Sequence, residues 1–287
     1  MIYITGDTHG DINRFNDVNM QGESTLTKDD YLIICGDFGF IFDNDDVEKA
    51  WLDELESKPY TILWVDGNHE NFNAISQYPI EMWNGGKVHR IRKNILHLMR
   101  GQVFTIDEKE FFTMGGAYSI DRYMRKKDVS YWKQEIPDDE EYKEAAQNLL
   151  KHNKRVDYII SHTAPREIIR RMGYYPDAHD MELTGFLEWV MYECDFKHWY
   201  FGHWHEDKDV GDDFTALYPL VTWKHQKKTY MIHGHIHNDT ESDYWHLLCA
   251  NQRILNAGVD INGFEPVTLE ELIKNNNVFK YNHNSVH

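Results

Sequence analysis

Short runs of apolar and β-branched residues punctuate this chain, and five of them stop at a polar turn: Ile2 to Thr5, Tyr31 to Cys35, Thr61 to Val65, Val156 to Ile160 and His198 to Phe201. Runs of this length closed by Gly, Asp, Asn or Ser predict buried strands. Between the first three the period changes. Val47, Trp51 and Leu55 recur at helical spacing, so the first part of the chain reads as repeated strand and helix units. From Lys87 to Met114 the runs crowd together as Val88 to Ile91, Ile95 to Leu98, Val103 to Ile106 and Phe111 to Met114, which predicts antiparallel strands and a second sheet. Pro137 to His152, with an acidic first turn and a basic end, and Met181 to Glu193 read as helices. An α/β fold, two sheets packed as a sandwich and flanked by helices, accounts for this order.

After His205 the pattern is less uniform. A polar stretch, Glu206 to Asp213, precedes the apolar run Ala216 to Val221, and strand-like runs follow at Thr229 to Ile232 and Ile254 to Ala257. Thr268 to Lys274 reads as a short capped helix, and Asn275 to His287 is polar and expected to fray.

Composition narrows the function classes. With 287 residues, 41% of them hydrophobic and 14% aromatic, the chain can bury a sizeable core. No apolar run approaches a membrane span, and Met1 to Thr5 enters a strand directly without a basic segment and cleavage site, so a cytoplasmic location without membrane contact is expected. Cys35, Cys194 and Cys249 are too few and too scattered for a disulfide framework, and packing is the expected role of all three. A formal charge of −18 argues against extended contacts to a nucleic-acid backbone. It leaves room for a nuclease, because a bound pair of divalent cations supplies its own local positive charge. The acidic clusters Asp43 to Asp46 and Asp138 to Glu141 suit solvated surfaces and helix starts.

The five predicted strands deliver a series of motifs: Gly6-Asp7-Thr8-His9, Gly36-Asp37, Gly67-Asn68-His69-Glu70, Ser161-His162 and Gly202-His203-Trp204-His205. Oxygen and imidazole ligands at the ends of several strands can hold two metal ions side by side. In this reading Asp37 bridges the ions. Asp7 and His9 hold one of them together with His205, while Asn68, His162 and His203 hold the other. The neighbouring glycines let the backbone turn tightly. His69 is left free to act as a general acid toward a leaving group. Polar turns with stray histidines remain the better explanation for His89, His97, His152, His179 and His198.

In their order, D-x-H, GD, GNH[ED], H and GHxH, these motifs resemble the calcineurin-like metallophosphoesterase superfamily, from Met1 to about Asp213. The resemblance implies a four-layer αββα sandwich with metal roles for Asp7, His9, Asp37, Asn68, His162, His203 and His205, and a proton-donor role for His69. It further implies two divalent ions, Mn first with Fe, Zn, Ni or Mg as alternatives. Its substrate would be a phosphate ester, monoester or diester, attacked in line by a metal-bridging hydroxide. Protein Ser/Thr phosphatases continue the second motif as GDxxDRG, whereas here it reads Gly36-Asp37-Phe38-Gly39-Phe40-Ile41, which disfavours a phosphoprotein substrate. Gly115 to Arg122, with Tyr131, Trp132 and Glu135, looks like a segment of small bacterial and phage-type members, in which Arg122 or Arg125 would contact substrate phosphate. The alternatives are a nucleotide or nucleic-acid phosphodiesterase, and a catalytically weak metal-binding scaffold acting through its C-terminal part.

The last motif recurs as Gly234-His235-Ile236-His237. With Tyr218 to Trp223 and Asn256 to Asp260 it resembles the end of a different metallophosphoesterase subgroup, although Leu217 stands where that subgroup has a metal-binding histidine. Residues 1–215 are therefore expected to form the enzyme domain, and 216–287 a partial second one. His235 and His237 would replace His203 and His205, complete a site in trans in a homo-oligomer, or be a relic. Continuity with the upstream motifs favours the relic.

Overall fold

The computed structural model describes residues 1–17, 19–20 and 22–218, the backbone of Val221–Trp223, Met231–His233 and Ile254–Asn256, and Lys274. The chain divides into two compact units, Met1–Lys224 and His225–His287. Gly234, His235, Ile236 and His237, the predicted helix up to Ile273, the polar end from Asn275 and Cys249 lie outside the described residues.

In the first unit, β1 (Ile2–Thr5), β2 (Tyr31–Ile34), α1 (Asp46–Ser57), β3 (Thr61–Trp64) and α2 (Phe72–Ile75) form the repeated strand and helix units. β4 (Ile80–Trp83), β5 (Gly86–Arg92), β6 (Ile95–Leu98), β7 (Gln102–Ile106) and β8 (Lys109–Met114) follow as closely spaced strands. Then come α3 (Asp139–Lys151), β9 (Tyr158–Ser161), α4 (Arg166–Met172), α5 (Met181–Glu193) and β10 (His198–Phe201). β11 (Lys208–Asp209), β12 (Phe214–Ala216) and β13 (Val221–Trp223) complete the unit. In the second unit, β14 (Met231–His233) pairs in parallel with β15 (Ile254–Asn256).

The strands of the first unit make two mixed sheets. One runs β13-β1-β2-β3-β6-β5-β4, and the other β11-β12-β10-β9-β8-β7. β1, β2, β3 and β6 are parallel neighbours, as are β8, β9, β10 and β12. The crowded run from Lys87 to Met114 is antiparallel, as its pattern predicts, but it is shared between both sheets: β4, β5 and β6 extend the first, and β7 with β8 begins the second.

Alternation along each strand explains the layers. Tyr3, Leu32, Ile34, Ile62 and Trp64 pack with Leu52 and Leu55 of α1 on one face of the first sheet. Ile2, Ile4, Ile33, Cys35, Leu63 and Val65 face the other way, into a core shared with Phe104, Phe111, Tyr158, Ile160 and Tyr200 of the second sheet. Ile159, Trp199 and Phe201 then cover the far side against Leu149 of α3, Ile168 of α4 and Leu187 of α5. Three apolar cores separate four layers, because side chains with a period of two supply both faces of each sheet. One helical position differs from expectation. Val47 is exposed and Glu48 is buried, accepting hydrogen bonds from the backbone N–H groups of Phe42, Asp43 and Asn44 at 2.6–2.8 Å. Asp45 and Asp138 cap α1 and α3, as the acidic clusters suggest.

Candidate metal centre

Parallel strands that end together place their following turns at one edge of a sheet, and here two sheets contribute. Asp7 and His9 follow β1, Asp37 follows β2, Asn68 and His69 follow β3, His162 follows β9, and His203 with His205 follows β10. The backbone is left-handed at His9 (φ 46°), Asp37 (49°), His203 (69°) and His205 (51°). Non-glycine residues in this region are strained, and such strain concentrates at functional sites.

Asp7, His9 and His205 offer ligand atoms that all lie within 4.8 Å of one another. His9 Nε2 is 3.1 Å from His205 Nε2, and Asp7 Oδ2 lies 3.2 Å from His205 Nε2 and 3.9 Å from His9 Nε2. Donor atoms about 2.1 Å from a shared ion stand roughly 3.0–3.4 Å apart, a spacing that two of the three pairs match while the Asp7–His9 pair is wider at 3.9 Å, so the group suits a single cation after a small inward shift of one side chain. The Asp7 carboxylate is aimed by the backbone N–H of His203, which donates to it at 3.0 and 3.1 Å.

A second group adjoins it. His162 is fully buried, and its Nδ1 donates to the Cys35 carbonyl at 2.8 Å, so the other ring nitrogen presents its lone pair. That nitrogen, Nε2, faces Asn68 Oδ1 at 2.9 Å and Asp37 Oδ2 at 3.5 Å. The amide orientation of Asn68 follows from its other end, where Nδ2 donates to Ser119 Oγ at 3.1 Å. Three acceptors thus converge, which requires a proton or a cation among them. Burial opposes charge on His162, yet Asp37 and Asp7 outweigh it and hold the imidazole above its ordinary pKa. His203 packs edge-on against the His162 ring with centroids 5.0 Å apart, and burial pushes its pKa down to about 3, which keeps a neutral ring available as a ligand.

Asp37 stands between the groups. Its Oδ2 is 3.9 Å from His9 Nε2 and 3.5 Å from His162 Nε2, while Oδ1 accepts from the His69 backbone N–H at 2.7 Å. The glycines act by clearance as well as by turning. A Cβ on Gly67 would fall 2.0 Å from Asp37 Oδ1, and one on Gly202 would fall 2.1 Å from Asp7 Oδ1. Each carboxylate occupies the space a side chain would take. Glu70, the last residue of its motif, is buried and accepts from the Phe38 N–H at 2.8 Å, tying the turn after β3 to the turn after β2. Burial, with Asp37 close by, pushes its carboxyl well above the ordinary range.

The His69 ring lies beside these groups, 5.5 Å from the His9 ring centroid and in contact with Arg125. Arg122 has a different fate. It is paired with the buried carboxylate of Glu135 at 2.7 Å and lies over the rings of Tyr118 and Tyr131. Glu135 also accepts from the Ser119 N–H at 3.2 Å, so the Gly115 to Glu135 segment supports Asn68 from behind. Sequence reasoning quoted that segment but missed this role, for which the clustering of Ser119, Arg122 and Glu135 was the available signal. The histidines set aside have other partners: His89 and His97 face each other at 3.0 Å with His97 on Asp66, His152 meets Glu110, His179 meets Asp177, and His198 meets Thr215.

The family model for calcineurin-like phosphoesterases matches residues 1–207. The chain belongs to that family. The matched segment spans every strand that delivers a candidate metal-centre residue. No curated protein gives a significant sequence match. Among solved structures, the chain is similar to a 5′-nucleotidase candidate from Staphylococcus aureus, solved in complex with alpha-ketoglutarate, at 12% identity and a TM-score of 0.44. The match covers 76% of this chain and 48% of the other, so the protein spans about half the length of its relative. Among the described residues, no helix is long and apolar enough to cross a membrane.

Proposed function

We propose that the protein is a dinuclear metal-dependent phosphoesterase hydrolysing phosphomonoesters or phosphodiesters. The observation that carries this reading is the approach of His162 Nε2 to Asn68 Oδ1 at 2.9 Å, with Asp37 Oδ2 at 3.5 Å, beside the separate Asp7, His9 and His205 group. Two acceptor clusters sharing the environment of one carboxylate suit two divalent cations, with mixed nitrogen and oxygen ligands favouring Mn, Fe, Zn or Ni over Mg. Asp7, His9 and His205 would hold one ion, Asn68, His162 and His203 the other, and Asp37 would touch both. When bound, such a pair supplies an activated water and neutralises phosphoryl oxygens.

The chain's own groups do the rest. The His69 N–H fixes Oδ1 of Asp37, and Oδ2 is left 3.5 Å from His162 Nε2 and 3.9 Å from His9 Nε2. Burial and Arg125 hold the His69 ring below its ordinary pKa despite Asp37, so the ring is neutral near pH 7. Arg125 Nη2 lies 2.7 Å from Nδ1 and 3.2 Å from Nε2. The ring N–H of His69 would be the donor offered to a leaving-group oxygen.

Hydrolysis of aryl phosphate monoesters and diesters by the Mn-loaded protein tests the reading. Activity should disappear with a chelator and fall by at least 100-fold in Asp37→Asn. A protein that binds two ions per chain and hydrolyses neither substrate would instead be a scaffold.

A further inference from the structure

The chain that follows β12 crosses the metal centre. Leu217 lies so close to the exit of β1 that a Cβ on Gly6 would fall 1.9 Å from its carbonyl oxygen, and β13 then runs antiparallel beside β1, with Val221 opposite Thr5. Between them Tyr218 is tied at both ends. Its N–H donates to Asp207 Oδ1 at 2.9 Å, just past His205, and its carbonyl accepts from Arg14 Nη2 at 2.6 Å. The same guanidinium donates to the Asp7 carbonyl at 3.0 Å and to Thr5 Oγ1 at 2.9 Å. Tyr218 therefore links the turn that carries Asp7 to the turn that carries His205.

The Tyr218 ring lies flat on the His205 imidazole, with centroids 4.1 Å and planes 12° apart. Little else orients that imidazole. The His205 side chain is 49% exposed, and among the described residues its polar contacts, with Asp7 and His9, are all at Nε2, the nitrogen that would meet an ion. A histidine ligand is ordinarily fixed by a hydrogen bond that its other ring nitrogen donates, as His162 Nδ1 donates to the Cys35 carbonyl. At His205 a stacked aromatic face takes that part.

We propose that Tyr218 is a positioning residue of the Asp7, His9 and His205 site, holding the His205 ring through its own, so that the chain beyond the matched residues 1–207 is part of the metal centre. Without the stack a half-exposed ring samples other rotamers, and apparent affinity falls with the fraction of time that Nε2 faces the ion. The proposal rests on the dinuclear-metal reading above.

The test is titration of the metal-free, full-length protein with Mn²⁺, followed by calorimetry. The wild type should bind two ions. Tyr218→Leu should weaken one site by about 10-fold and leave the other unchanged, the size at which the effect of an aromatic pair meets that of losing a group that orients a ligand. Tyr218→Phe, which keeps the ring, should bind as the wild type does. In a His205→Ala background Tyr218→Leu should cause no further loss at either site, because its route to the ion is already gone. Wild-type affinity at both sites in folded Tyr218→Leu or Tyr218→Met protein would overturn the proposal. So would a loss in Tyr218→Phe equal to that in Tyr218→Leu, or an undiminished loss in the His205→Ala background, which is what a merely structural role gives. A wild type that binds no ion would overturn the metal reading and this proposal together, whereas two ions bound equally by wild type and Tyr218→Leu would overturn this proposal alone.

Discussion

Asn68 Nδ2 donates to Ser119 Oγ at 3.1 Å while Ser119 Oγ gives its own proton to the Asn68 backbone carbonyl at 3.4 Å, and the two bonds together turn the Asn68 Oδ1 toward His162. Oxygen and nitrogen are nearly the same size, so packing alone would not choose. Both bonds span fifty-one positions and bring the Gly115 to Glu135 segment under the metal centre. Ser119→Ala should leave the fold intact and reduce affinity for one of two ions by about 10- to 100-fold, the usual effect of losing a group that orients a ligand. Titration of the metal-free variant with Mn²⁺ would reveal two unequal sites. Two unaltered sites would show that Asn68 keeps its orientation without Ser119.

Gly67→Ala tests whether clearance matters more than backbone freedom. The new Cβ would lie 2.0 Å from Asp37 Oδ1, and the carboxylate must shift. Metal content should fall below one ion per chain while far-ultraviolet circular dichroism stays native. A variant that retained both ions would mean the turn after β2 yields without disturbing Asp37.

Asp180 supplies a pH signature of stability. It is buried, and burial raises its pKa to about 6 even though the Tyr118 N–H donates to it at 2.7 Å. The folded protein therefore keeps a proton that the unfolded chain releases near pH 4, and stability should decline as pH rises from about 4 to about 6. The span corresponds to roughly 3 kcal/mol. Asp180→Asn keeps the acceptor for Tyr118 and should flatten this decline in urea unfolding at several pH values. Parallel profiles for the two proteins would assign the decline to other groups.

Behind the site, Arg100 donates to Asp66 through Nε at 2.8 Å and Nη2 at 2.5 Å, and both residues are buried. The ion pair holds the Asp66 carboxyl well below the usual range against the cost of its burial. Arg100→Met would leave Asp66 with the His97 ring as its remaining side-chain partner, and the loss of stability should reach about 3–5 kcal/mol. Arg100→Met combined with Asp66→Asn should recover much of it. Denaturant midpoints of the two proteins would show whether charge or packing dominates.

The strand ends were legible because alternation and turn residues are local signals. Ile2–Thr5 and His198–Phe201 have the bounds their apolar runs suggest, and the motif residues meet because strands of both sheets end beside one another. β4 escaped notice since Ile80 and Met82 are exposed and the run carries no buried stripe. The burial of Glu48 in place of Val47 escaped because three turn N–H groups needed an acceptor, a requirement invisible in helical spacing. Asp66 with Arg100, and Asn68 with Ser119, are pairings across many positions, and polar residues carry no periodicity that would announce them.

The left-handed backbone at His9 and His205 sets the fold at odds with its purpose. Glycine would relieve roughly 1 kcal/mol of strain at each position, so the metal-free His9→Gly protein should melt at or above the wild-type temperature. A lower melting temperature would mean that the His9 ring stabilises the empty cleft. With relief available at both positions, the two turns give up stability to bring a pair of imidazole nitrogens within 3.1 Å of each other.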